Sequence, residues 1–468
     1  MLDPDWMEGT LRADLAIVGG TVVSGQGAAR ADLVVKGGRI EDVIPEGSEV
    51  TAEATVDADG LLVMPGMVDT HVHLMDPGPT EREDFPTGTA AAAARGVTTI
   101  VEHTHAHPVR DRGELADKLA SLRGRSNVSF GLAAHVWPDR IDALEGAWRA
   151  GVAFFKVFTC TTHGVPAIEG QDLRRTLERV TSFGGTCLVH AEDETRTAEA
   201  ERSLRVEGRT DPGILAGWRS REAELEAVRA VADLATETGA RLTIAHVSSP
   251  PVAEAIEAAR RRGADLAAEA CPQYLLLAED EVLEHGPLRK FTPPARNRSE
   301  QDMDAMWRLL ADGTLTHVAS DHAPSTLAQK LAGDFWDAPF GLPGIDTTTR
   351  LLLDAAATGR LSWPDVVRRY AEEPADRYGL SPAKGRLHAG ADADFVLVDP
   401  TATVHIRDED VISKAGWTPF AGRRTTGDVV RVFLGGEEVA RDGVPRGERT
   451  GRFVPGPGAV DAPEALLA

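Results

Sequence analysis

Short apolar runs separated by glycine pairs fill the first sixty residues, and the period changes after them. Runs at 14–18, 32–36 and 39–44 have strand length and are divided by Gly19-Gly20 and Gly37-Gly38, pairs that suit tight hairpins. The pattern returns near the other end. A strand is predicted at 393–398, and another at 429–434 runs into Gly435-Gly436 and then 437–440. The echo predicts one small β-sandwich domain built from both chain ends, residues 1–62 and 385–454. A loose tail rich in Pro, Gly and Ala follows at 455–468.

Residues 63–384 alternate strand-length apolar runs with helical stretches. Strands are predicted at 67–73, 98–103, 128–135, 152–159, 186–190, 241–247, 265–270 and 315–321. Helices are predicted at 113–122, 171–183, 219–238 and 252–262, among others. Eight strands, each followed by a helical stretch, predict an α/β fold, a (β/α)8 TIM barrel of about 250 residues or more. A doubly wound sheet is the alternative, but no G-x-G-x-x-G follows the first of these strands. The stretch 272–294 reads as an elaborated loop between strands seven and eight.

Composition narrows the partners. The 468 residues carry a formal charge of −23, which argues against nucleic acid and anionic membranes. No apolar run approaches the roughly 20 residues of a membrane span. Cys160, Cys187 and Cys271 are too few for a disulfide framework. The acidic start (Asp3, Asp5, Glu8) does not look like a signal peptide, so a cytoplasmic protein is expected.

The chemistry collects at strand ends. His71 and His73 stand two apart, so strand period places both imidazoles on one face. Lys156 sits inside the apolar run Phe154-Phe155-Lys156-Val157-Phe158. His190, His246 and Asp321 end the fifth, sixth and eighth strands. Each alone is an ordinary polar strand end or helix cap. Five strand ends together point to the catalytic mouth of a barrel.

These residues resemble a known family. Gly66-Met67-Val68-Asp69-Thr70-His71-Val72-His73 is similar to the opening metal motif of the amidohydrolase superfamily. Phe155-Lys156-Val157-Phe158, Val189-His190-Ala191-Glu192, Ala245-His246-Val247-Ser248 and Ser320-Asp321-His322-Ala323-Pro324 resemble its later motifs. Cys271-Pro272-Gln273-Tyr274 and Gly341-Leu342-Pro343-Gly344-Ile345 look like its cyclic amidohydrolase branch: dihydroorotase, allantoinase and hydantoinase (dihydropyrimidinase). The resemblance implies two divalent metal ions, zinc first, with iron, cobalt or manganese as alternatives. His71, His73 and Asp321 would hold one ion, and His190 and His246 the other, with Lys156 bridging them as a carbamate (N6-carboxylysine). A hydroxide shared by the ions would attack the amide carbonyl, and Asp321 would act as catalytic base.

The pocket departs from each relative. Dihydroorotases carry an arginine where Met75 stands and an asparagine where His105 stands. Hydantoinases carry a tyrosine at the position of Thr161, and their backbone contacts to the ring would fall at Thr292 and near Phe340. His105, Thr161 and His163 are expected to line the pocket, Trp336 and Phe340 to wall it, and His103 and His107 carry no assigned role. The expected function is opening of a cyclic amide, imide or ureide of the allantoin or hydantoin type, with dihydroorotate a poorer substrate than a neutral ring. The alternatives are a linear amide, phenylurea or carbamate hydrolase, a dihydroorotase, and a non-catalytic dihydropyrimidinase-like scaffold, against which the complete ligand set speaks. A homo-oligomer, dimer or tetramer, is expected.

Overall fold

Both ends of the chain meet in one hydrogen-bonded sheet of nine strands in this computed structural model, which describes residues 11–460. Strand Leu62–Pro65 is the join. It runs parallel to Leu11–Ser24 and antiparallel to Phe395–His405, so the N-terminal and C-terminal strands share a ladder. Alternate side chains from both sides, among them Ile17, Leu33, Val35, Val63, Phe395 and Phe433, close over a common core. Gly37-Gly38 and Gly435-Gly436 are the expected turns. Gly19-Gly20 is not a turn. Leu11–Ser24 passes straight through it with a register shift between Ile17 and Gly20, and Gly19 takes φ 73°, the marks of a bulge.

The remainder is the (β/α)8 barrel. Met67–Val72, Val97–Glu102 and Ser129–Leu132 form one parallel set. Ala134–His135, Phe155–Phe158, Thr186–His190, Arg241–Ile244, Leu266–Ala270 and His317–Val318 form the other. The third predicted strand is therefore two pieces. Ala133 N–H donates to Glu102 on one side while Ala134 N–H donates to Phe154 on the other, so the strand changes partner there. Closure comes where His73 N–H donates to the His322 carbonyl at 2.8 Å, joining strand one to strand eight. Strands four and eight are shorter than the apolar runs that predict them.

Helix Arg221–Thr238 shows how the layers attach. Ser220 caps it by accepting from Ala223 N–H, Gly239 ends it in the left-handed conformation, and Ala227, Val228, Val231 and Ala235 form its buried face. The region 272–294 is more ordered than a loop, with helices Pro272–Leu276 and Glu281–His285. The tail is not loose where it is described. Gly456 N–H donates to Gly151 and Val460 N–H to Arg149, which bind it to the barrel, and Gly458 packs on Trp148. Residues 461–468 lie outside the described residues. Among the described residues no helix is long and apolar enough to cross a membrane.

Candidate active site

The C-terminal ends of the barrel strands surround a cavity of about 340 Å³. His71, His73, Lys156, His190, His246 and Asp321 all line it, as the strand-end pattern predicts. Except for Asp321, each is almost wholly buried.

Each imidazole is oriented by a partner behind it. His71 Nδ1 lies 2.7 Å from Glu269 Oε1, and His73 Nδ1 lies 2.8 Å from the His103 carbonyl. Acceptors at both Nδ1 positions fix those nitrogens as N–H donors and leave the Nε2 lone pairs facing inward. These two Nε2 atoms converge on Asp321 Oδ1, at 3.3 Å and 3.5 Å. Lone pairs aimed at an anionic oxygen repel unless a cation lies between them. On the opposite side, His190 Nε2 donates to Glu192 Oε2 at 2.7 Å, so its Nδ1 turns its lone pair toward His246 Nε2 at 2.9 Å. His246 Nδ1 is buried without a hydrogen-bond partner. The donor set of imidazole nitrogens and a carboxylate suits divalent transition metals.

Lys156 Nζ reaches His71 Nε2 at 3.2 Å. Burial pulls its pKa down, against the attraction of Glu269 and Asp321, so the uncharged amine is accessible. Burial raises the Glu269 carboxyl in turn, opposed by Lys156. Glu269 Oε1 also accepts the His246 backbone N–H at 2.9 Å, so one carboxylate steadies a histidine of each pair.

Backbone strain gathers here. Five described non-glycine residues have positive φ, and four of them, Met75, His163, His246 and Asp321, line the cavity. Such conformations cost of order 1–3 kcal/mol each and persist where the surroundings hold them. Asp69 provides part of that hold, accepting from Ser320 N–H at 3.0 Å and from the Tyr370 hydroxyl at 2.9 Å.

The substrate side is partly as expected. His105, His163, Thr292 and Phe340 line the cavity. The His105 ring stacks on His163 at 4.8 Å, and His105 Nδ1 lies 3.1 Å from His135 Nε2. Thr161 does not join them. The hairpin at Thr162–Val165 turns it outward, where its N–H and hydroxyl donate to Glu194 at 2.6 Å and 2.9 Å. Arg296 faces away from the cavity, donating to the carbonyls of Arg219 and Ser220. His103, to which the sequence assigned no role, also reaches the site. One ligand atom from each of His71, His73 and His103 lies within 4.8 Å of the others, and neither ring nitrogen of His103 has a partner. Glu192, Glu269 and Lys290 were missed as well. A carboxylate in the apolar strand Leu266–Ala270 was the readable signal for Glu269.

This fold and this cluster define a metallohydrolase of the barrel type. The amidohydrolase family matches residues 62–439, and the chain belongs to it. An allantoinase of Rubrobacter xylanophilus is 37% identical over 94% of this chain and 97% of its own. A dihydroorotase of Halobacterium salinarum is 38% identical over 82% of this chain and 90% of its own. Among solved structures, an L-hydantoinase (dihydropyrimidinase) from Arthrobacter aurescens superimposes with a TM-score of 0.90 at 30% identity, covering 95% of this chain and 100% of that one. The chain is a metal-dependent amidohydrolase of the cyclic amidohydrolase branch, acting on small molecules at carbon–nitrogen bonds other than peptide bonds.

Proposed function

We propose that the enzyme opens the ring of a cyclic ureide of the allantoin or hydantoin type, using two divalent ions. His71 Nε2, His73 Nε2 and Asp321 would hold one ion, and His190 Nδ1 and His246 Nε2 the other. Lys156 would bridge them as a carbamate, its uncharged amine adding to carbon dioxide with loss of a proton. Zinc is the first choice, and iron, cobalt or manganese fit the same donors. When bound, the ions supply Lewis acidity toward the carbonyl oxygen and acidify water.

The remaining steps belong to the chain. Asp321 takes the proton of the attacking water and hands it to the leaving nitrogen. Glu269, Glu192 and the His103 carbonyl hold the imidazoles in the tautomers described. His105, His163, Phe158 and Phe340 wall the ring, and backbone groups near Thr292 and Phe340 fix its amide. The observation that carries this reading is the convergence of two imidazole lone pairs on Asp321 Oδ1. The three free cysteines, all buried, fit a reducing cytoplasm, and we take the working form to be a homo-oligomer.

The second reading, dihydroorotase, is favoured by the Halobacterium relative. Against it, Met75 offers no charge where dihydroorotases place an arginine. A panel on one metal-loaded preparation decides the matter: kcat/KM for allantoin, hydantoin and dihydrouracil beside dihydroorotate and a phenylurea. A neutral cyclic ureide is expected to lead. Dihydroorotate or the linear urea in first place would overturn the proposal.

A further inference from the structure

The cavity holds a positive charge that the chain does not answer. Arg82 stands on the loop after the first barrel strand, half-buried, and lines the same cavity as His71, His73 and Asp321. Its Nε donates to the Pro324 carbonyl at 3.0 Å, which anchors the guanidinium beside the Asp321 segment. Among the described residues no carboxylate comes within 4.0 Å of it. Glu81, its chain neighbour, acts on it only through space, while burial pulls its pKa down from the usual arginine value.

The other charged groups of the cavity wall are occupied. Lys290 Nζ donates to the carbonyls of Phe335 and Trp336 at 2.6 Å and 3.0 Å. Asp337 Oδ2 accepts the Asp334 N–H at 3.1 Å, and Asp337 forms no ion pair with Arg82. Asp321 faces His71 and His73. Arg82 therefore brings a planar fork of five N–H donors to the cavity with one of them engaged within the chain. A guanidinium keeps its charge when desolvated, and its fork matches a carboxylate in a bidentate pair. Leaving it half-buried and unpaired costs free energy that a bound anion recovers.

We propose that Arg82 recognises an anionic arm of the substrate, so that the preferred substrate is a cyclic ureide or amide whose ring bears a carboxylate side chain. This deepens the ring-opening reading and rests on it. A carboxylate set directly on the ring would face the uncharged Met75. A side-chain carboxylate meets the cation further along the same loop.

The test compares acids with neutral isosteres. Ring opening is measured for 5-carboxymethylhydantoin and 5-carboxyethylhydantoin, each beside its carboxamide, with wild type, Arg82→Met and Arg82→Lys. In wild type one acid is expected to exceed its carboxamide in kcat/KM by about tenfold or more, roughly the size of one charge-assisted contact. The KM for that acid should rise with ionic strength. The acid-to-amide ratio should fall by about tenfold in Arg82→Met and partly return in Arg82→Lys. Equal treatment of acid and carboxamide by wild type, a result that needs no variant, would overturn the proposal, and so would a ratio unchanged in Arg82→Met. Failure to open any of the four rings would instead overturn the ring-opening reading, and this proposal with it.

Discussion

Among single residues, the sequence exposed the proposed metal ligands whose position is set by strand period. His71 and His73 share a face because they stand two apart, and His190, His246 and Asp321 are visible because each closes an apolar run. The groups that orient them were hidden, since a carboxylate behind a histidine has no sequence period. Glu192 is the clearest example. It accepts from His190 Nε2 at 2.7 Å, from the Thr292 hydroxyl at 2.7 Å and from Arg219 at 3.2 Å. Burial alone would raise its pKa, but Arg219, His190 and Thr292 outweigh burial and hold the carboxyl down to about 2. Glu192→Gln keeps the shape, removes the charge that fixes the His190 tautomer and leaves Arg219 without its anion. Metal affinity or kcat is expected to fall about 10–100-fold. Metal titration beside circular dichroism checks this, and a correctly folded variant with unchanged affinity and kcat would show that the Glu192 charge does not set the His190 tautomer.

Among the elements, the barrel strands and their helices were legible because their periods differ, while bulges and loop paths were not. Gly19-Gly20 reads like a turn and is a bulge, since a glycine at positive φ, here Gly19, serves either purpose. Thr161 was misplaced for a related reason: the short hairpin at Thr162–Val165 reverses the chain beside it. The segment after strand eight, which carries Trp336 and Phe340, has its own device. Lys330 Nζ, buried, donates to the carbonyls of Lys290 and Pro339 at 2.9 Å and 2.8 Å, while Lys290 Nζ holds Phe335 and Trp336. Two lysines thus pin this wall of the pocket from behind. Lys330→Met preserves the volume and removes both hydrogen bonds, which should lower the local opening free energy by about 1–3 kcal/mol. Hydrogen exchange at residues 335–341 is expected to quicken and KM to rise more than kcat falls. Unchanged exchange there would show that aromatic packing alone holds the wall.

For the whole molecule, the two chain ends brace the barrel and its mouth. Trp417 Nε1 donates to the Ser325 carbonyl at 2.8 Å, and Ser413 Oγ donates to Glu83 at 2.5 Å, so the C-terminal region leans on the loops that bear Arg82 and Asp321. The shared sheet was readable from the echo of glycine-punctuated strands at both ends, whereas these cross-contacts join residues 92 and 330 positions apart and leave no local trace. On the reading proposed above, this scaffold gathers six side chains around two divalent ions. Metal analysis of the purified enzyme, set against ring-opening activity during chelation and re-addition, decides whether it does. Two transition-metal ions per chain are predicted, with activity lost as they are withdrawn and regained as they return, and with both ions and activity lost in Lys156→Ala. Full activity in enzyme stripped of transition metal, or in the Lys156→Ala variant, would rule out a two-metal site bridged by Lys156.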